Sequence, residues 1–161
     1  MEPARAEIPG SEVNHGTGGS WLPVDADLLI CPTIVIRRPK RAGDLSQELL
    51  SGSFRQMKRE DAEKLLRVDP ADLAAVHAFL GGYGLTVTTE NADARTVHIE
   101  GSVMRMGQAF GVEIQWRIDP PGRKYLSYQG GLTVPAELAG IVEAVLGLDQ
   151  RPVARSRGAG E

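Results

Sequence analysis

The sequence predicts an α+β fold of the ferredoxin-like, split β-α-β type: an antiparallel sheet with helices on one face. Three observations carry this. LTVTTE (85–90), RTVHIE (95–100) and VEIQWRI (112–118) alternate with the period of a half-buried strand. DPADLAAVHAFL (69–80) carries an apolar stripe at helical spacing. The elements then run strand, helix, strand, strand, helix, strand.

Residues 1–27 are rich in Gly, Pro and polar types and read as a flexible N-terminal arm. The core is expected over 28–149. LLICPTIVIRR (28–38) is a β-branched apolar run, and so a strand. Pro32 has no N–H for a ladder, which moves the regular strand to Thr33–Arg37 or demands a bulge. A central place for this strand conflicts with that proline. Lys40 to Glu48 reads as polar linker, and REDAEKLLR (59–67) has helical composition. In the next helix Asp69 caps the first amides, and Pro70 suits the first position. Leu73, Val76 and Leu80 share its inner face, His77 sits partly buried beside them, and Gly81-Gly82 end it.

NADA joins the two alternating strands into a hairpin, with His98 facing solvent. SVMRMGQAF (102–110) is a short helix capped by Ser102, with Val103, Met106 and Phe110 inward. In the following strand Val112, Ile114, Trp116 and Ile118 point inward and Glu113, Gln115 and Arg117 outward. DPPG (119–122) turns the chain towards RKYLSY (123–128), a further short strand. A last helix is expected from Pro135, with Leu138, Ile141, Val142, Val145 and Leu146 on one face and Gly147 as its stop. Residues 150–161 read as an exposed tail.

Composition excludes several classes. The chain has 161 residues and a formal net charge of −3, so bulk charge offers nothing to nucleic acid or an anionic membrane. Cys31 is the single cysteine, which excludes an internal disulfide or cysteine metal cluster and reads as a buried small apolar residue. No apolar run reaches the roughly 18 residues of a membrane span, and the N-terminus lacks the pattern of a signal peptide. The expected location is cytoplasmic as synthesised, and extracellular if the chain belongs to an exported precursor.

Catalytic chemistry is equally hard to find. SGSF (51–54) contains a serine, but no strand precedes it and no helix follows it, as a nucleophile elbow requires. His15, His77 and His98 are far apart, with no metal-ligand spacing. GGYG (81–84) follows a helix, whereas a phosphate cradle opens one. Arg37-Arg38 and Lys40-Arg41 read as an edge-of-sheet solubility device. The hairpin lacks the aromatics that RNA recognition needs. No cofactor, metal or small-molecule substrate is expected.

Four segments together carry a resemblance: TIVIRRP (33–39), DPADLAAVHAFLGGYGLTV (69–87), HIEGSVMRMGQAFGVEI (98–114) and VPAELAGIVEAVLGLDQRPVAR (134–155). In order and spacing they resemble the activation prodomain of sedolisin, or pro-kumamolisin-type, serine-carboxyl peptidases. IPGSE (8–12) fits the arm that precedes them, so the resemblance spans about residues 8–155. One departure is MKREDAEKLL (57–66), where Ala62 stands in place of a usual phenylalanine. The other is that the sequence holds no SGTS motif and no calcium-binding loop, which the family keeps in its catalytic domain.

The resemblance implies the fold of subtilase-type prodomains and a non-catalytic part that assists folding of a peptidase and inhibits it until acid-triggered proteolysis. The expected partner is the catalytic domain of a sedolisin-type peptidase, in cis or in trans. It also implies that Gln150, Arg151, Pro152, Val153, Ala154 and Arg155 form a linker that enters the cleft and is cut. Glu113, Asp119, Glu137 and Asp149 are the interface carboxylates expected to sense acid. A trans-acting inhibitor and an unrelated ferredoxin-like binding module are the alternatives.

Overall fold

The computed structural model describes residues 4–39 and 67–152. The expected linker at 40–48, the SGSF segment and most of REDAEKLLR lie outside them. In chain order the strands are β1 (Arg5–Glu7), β2 (Ser20–Leu22), β3 (Leu29–Ile30), β4 (Thr33–Ile36), β5 (Thr86–Asn91), β6 (Thr96–Ser102), β7 (Gln115–Ile118), β8 (Lys124–Ser127), β9 (Thr133–Pro135) and β10 (Val142–Leu146). Helix α1 (Pro70–Gly82) lies between β4 and β5, and α2 (Val103–Phe110) follows β6.

The principal sheet has the order β10-β4-β6-β5, with every neighbouring pair antiparallel. Numbered among themselves these strands run 4-1-3-2, with one helix after the first and one after the third, which is the ferredoxin-like arrangement. Pro32 lies in the break between β3 and β4. Its missing N–H therefore costs no ladder bond, while its carbonyl still accepts from Ile99 N–H at 3.0 Å. β3 pairs with the far end of β6, so the broken first strand remains central.

One face of this sheet is apolar. Ile34, Ile36, Val97 and Ile99 are almost wholly buried and share a cluster with Val76, Phe79 and Leu80 of α1 and Val103, Met106 and Phe110 of α2. The alternate residues Thr33, Val35, Thr96 and Glu100 are half-buried and His98 is exposed, leaving the other face open. The helices form where expected. Asp69 accepts from Ala71 N–H at 2.9 Å and Ser102 from Arg105 N–H at 3.2 Å.

Several expectations are corrected. The helix expected from Pro135 is a strand ending, a single 3-10 turn (Ala136–Leu138) and then β10, the fourth strand of the principal sheet. Gly140 stands at φ +80°, which no helix interior accommodates. A bulge between Val142 and Ala144 shifts the register and imitates helical spacing. Residues 115–118, expected to be that fourth strand, join β2 and β8 in a separate three-stranded sheet.

The expected loose arm is bonded into the fold over its described part. β1 pairs with β9, β2 pairs with β7, and Ile8 is 2% exposed in the core. Arg117 points inward and is buried, while Trp116 and Ile118 are half-buried. Cys31 is exposed, its Sγ 3.7 Å from Glu100 Oε2. His77 is exposed and meets Glu90 at 2.7 Å. Arg37 follows a central strand, not an edge, and grips the buried Asp72 through two bonds of 2.9 and 3.0 Å.

Candidate functional site

The segment after β10 is where the sequence places a cleavable linker. The chain leaves β10 through Gly147 at φ +99°, a conformation that favours glycine. Leu148, 1% exposed, then plugs into the core. Gln150 N–H donates to Leu126 O of β8 at 2.8 Å, and Arg151 and Pro152 emerge exposed. Residues 153–155 of the expected linker lie outside the described residues.

Side chains from four distant stretches meet at this exit. Val13 and Gly130 exchange backbone bonds of 2.9 and 3.0 Å, which brings His15 alongside β8. Trp21 of β2 meets the imidazole edge-on, with ring centroids 5.0 Å apart. His15 Nε2 lies 2.7 Å from Ser127 Oγ, and Ser127 Oγ donates to Asp149 Oδ1 at 2.8 Å. Arg151 Nη2 lies 2.9 Å from His15 Nδ1 and 3.4 Å from its Nε2. Arg151 N–H reaches Asp149 Oδ1 at 3.3 Å.

The bonding pattern assigns the protons. An ionised Asp149 only accepts, so the single Ser127 hydrogen goes to it. Ser127 must then accept from His15 Nε2–H, which leaves Nδ1 bare towards Arg151. Burial, Arg151 and Arg117 hold the imidazole below the usual histidine range, against the opposing pull of Asp149 and the Tyr128 backbone. Burial, seconded by Asp149, also pushes the Tyr128 phenol up to about 12, and its hydroxyl donates to Ser11 O at 2.7 Å.

The trio His15, Ser127 and Asp149 has the composition of a nucleophile triad without its connectivity. The carboxylate contacts the serine rather than the histidine, so nothing orients the imidazole as a base. Ser127 is 0% exposed, beyond the reach of a substrate.

A cavity of about 190 Å³ adjoins the cluster, lined by His15, Arg117, Asp119, Arg123, Tyr125 and Arg151 among others. Asp119 sits in the β7–β8 turn, where Arg123 bonds it through its backbone N–H at 2.9 Å and Nε at 2.7 Å. Burial pushes the Asp119 carboxyl up, but the Arg123 bonds and charge outweigh it and leave it below the usual carboxylate range. Arg117, 4% exposed, stacks 5.0 Å from the Trp21 ring centroid and donates to Gly18 O. Among the described residues its Nε has no hydrogen-bond partner.

The four expected interface carboxylates do not share one surface. Asp119 and Asp149 lie near the cluster, one held by Arg123 and the other by Ser127. Glu113 is exposed beside α2, where it accepts from Gln115 Nε2 at 3.1 Å. Glu137 is exposed on the 3-10 turn and lines a groove with Phe79, Tyr83 and Leu138. The parts played by His15, Ser127 and Arg117 carry no signal in the sequence: His15 and Arg151 are separated by 136 positions.

Comparison with known proteins agrees with this architecture. The family model "Pro-kumamolisin, activation domain" matches residues 24–151. The chain is 37% identical over 139 residues to kumamolisin of Bacillus sp. (strain MN-32), an alignment covering 83% of this chain and 25% of that protein. It is 26% identical over 171 residues to tripeptidyl-peptidase sed5 of Aspergillus fumigatus, covering 94% of this chain and 30% of that protein. The chain thus spans under a third of the length of these relatives. With the match running from before β3 to the exit segment at Arg151, the chain belongs to the pro-kumamolisin activation domain family.

Proposed function

We propose that this chain is a non-catalytic pro-part that assists folding of a serine-carboxyl peptidase domain, inhibits it, and is released by proteolysis in acid. The observation that carries this is the continuous family match from residue 24 to the exit segment. The geometry supports it. The chain is pinned to β8 up to Gln150, and Arg151 and Pro152 then emerge exposed. A protease needs accessible backbone of the kind these two residues offer, which supports reading Gln150–Arg155 as the cleavable linker.

The open face of the principal sheet is the docking surface. Its Thr33, Thr96, His98 and Glu100 are polar, as befits an interface that must later separate. Glu113, beside α2, and Glu137, beside α1, are exposed on the helix side of the sheet, so they meet a partner's cations only where the partner reaches round from the open face. Protonating them removes such pairs and weakens the complex. The partner is the catalytic domain of a sedolisin-type peptidase, and an exported precursor would carry both outside the cell.

The test is a titration of that catalytic domain with this chain, following peptide hydrolysis at near-neutral and acidic pH. Inhibition at near-neutral pH that is lost in acid, with cleavage between Gln150 and Arg155, is the expected result. A folded chain that inhibits at neither pH would overturn the reading.

A further inference from the structure

We propose that His15 is an acid-sensitive latch on the C-terminal segment: the neutral ring holds Arg151 beside β8, and the protonated ring expels it. The inference deepens the proposed function, since it rests on reading this segment as the linker to be cut.

The geometry leaves the ring little freedom. Ser127, completely buried between the imidazole and Asp149, takes the Nε2 hydrogen. Arg151 Nη2 lies 2.9 Å from Nδ1 and 3.4 Å from Nε2, close to both nitrogens, so the guanidinium sits over the face of the ring rather than on the in-plane lone pair. A neutral ring offers that guanidinium its π face. An imidazolium is itself a cation, so a proton arriving from solvent at Nδ1 replaces attraction by repulsion between two cations.

The surrounding charges agree in sign. Among the described residues Arg117, from β7, also bears on the ring as a cation. Arg123 lines the same cavity, but Asp119 neutralises it at 2.7 Å. Asp149 favours the imidazolium, yet one of its oxygens already takes the Ser127 hydroxyl and its other lies 3.9 Å from Arg151. Trp21 and Tyr125 complete the surroundings with rings 5.0 and 6.1 Å from the imidazole centroid. Burial first, and then the Arg151 and Arg117 charges set against Asp149, lower the affinity of the half-buried imidazole for protons.

The sign follows from linkage. A histidine that binds its proton less readily when latched keeps the latch at full strength above the ordinary histidine range. The latch is lost as pH falls through the lower, folded-state value. Asp119, held below the usual carboxylate range, keeps its charge until stronger acid.

The experiment is NMR on the isolated 161-residue chain, following the His15 ring shifts, the Arg151 side chain and exchange of the Gln150 amide from about pH 7.5 to about pH 5. In the wild type the Arg151 signals should move, and Gln150 protection fall several-fold, with the midpoint of His15. In His15→Gln, which keeps a donor and an acceptor but does not titrate, both responses should vanish. Arg151→Gln should raise the His15 midpoint. An unchanged Arg151 and Gln150 response in the folded His15→Gln variant would overturn the latch, as would an unmoved His15 midpoint in Arg151→Gln. Failure to inhibit a peptidase would instead sink the proposed function and leave this result standing.

Discussion

Asp119 and His15 lie at the same cavity and respond to acid in opposite regimes. Asp119 is held below the usual carboxylate range, so the stability it adds is present above its unfolded value and lost only as pH falls through the lower folded one. Asp119→Asn should therefore lower the melting temperature at neutral pH and leave the pH dependence between about 5 and 6.5 as in the wild type. Thermal melts at several pH values check this. Asp72 gives a second residue-level prediction. It is 6% exposed and holds Arg37 through two bonds, so Asp72→Ala strands a guanidinium and should cost about 2 kcal/mol in urea unfolding. Cys31 illustrates the limits of reading a residue by type. Its type predicts burial, yet it stands exposed beside Glu100, where partial desolvation and that carboxylate push its thiol pKa up.

Among the elements, α1 and α2 were legible because their signals are local. Asp69-Pro70 and Ser102 announce helix starts whatever the rest of the chain does. The glycines in the two helices make a paired prediction. A Cβ on Gly107 of α2 would lie 2.5 Å from the Val112 carbonyl oxygen, backbone that cannot swing aside, whereas Gly81 of α1 has open space around it. Gly107→Ala should thus destabilise the fold in spite of better helix propensity. Gly81→Ala should be neutral or gain up to about 0.5 kcal/mol, as unfolding by denaturant would reveal. The pattern of β10 imitates a helix for an equally physical reason. A 3-10 turn, a glycine at positive φ and a bulge together place apolar residues at intervals of three and four. Periodicity alone does not separate that from a helix.

For the molecule as a whole, the two ends of the chain complete the fold. β1 and Ile8 close one side against β9, and β10 covers the open edge of the central strand β4. Ile8→Ala should cost about 3 kcal/mol, the range of a core truncation, although it lies in a segment whose composition suggests a loose arm. Ending the chain at Gly140 should be far more damaging, because it strips β4 of one of its two partners and exposes an apolar edge. Such a chain should aggregate or lose its cooperative melt, as circular dichroism and light scattering would report. The same convergence of ends builds the candidate site, since His15 precedes most of the fold and Arg151 follows it.

By itself, the sequence determined the fold class, the two helices, the β5–β6 hairpin and the family. These rest on capping, turn chemistry and alternation, which act over a few residues, or on motifs read in order. Only the tertiary structure decided which segment supplies the fourth strand, that Arg117 turns inward onto Trp21, and that the N-terminal segment is bound to the core. It alone brought His15, Ser127, Asp149 and Arg151 together. The physical reason is one of range: strand pairing and buried polar contacts are settled by which distant groups lack partners, and nothing within a local window records that.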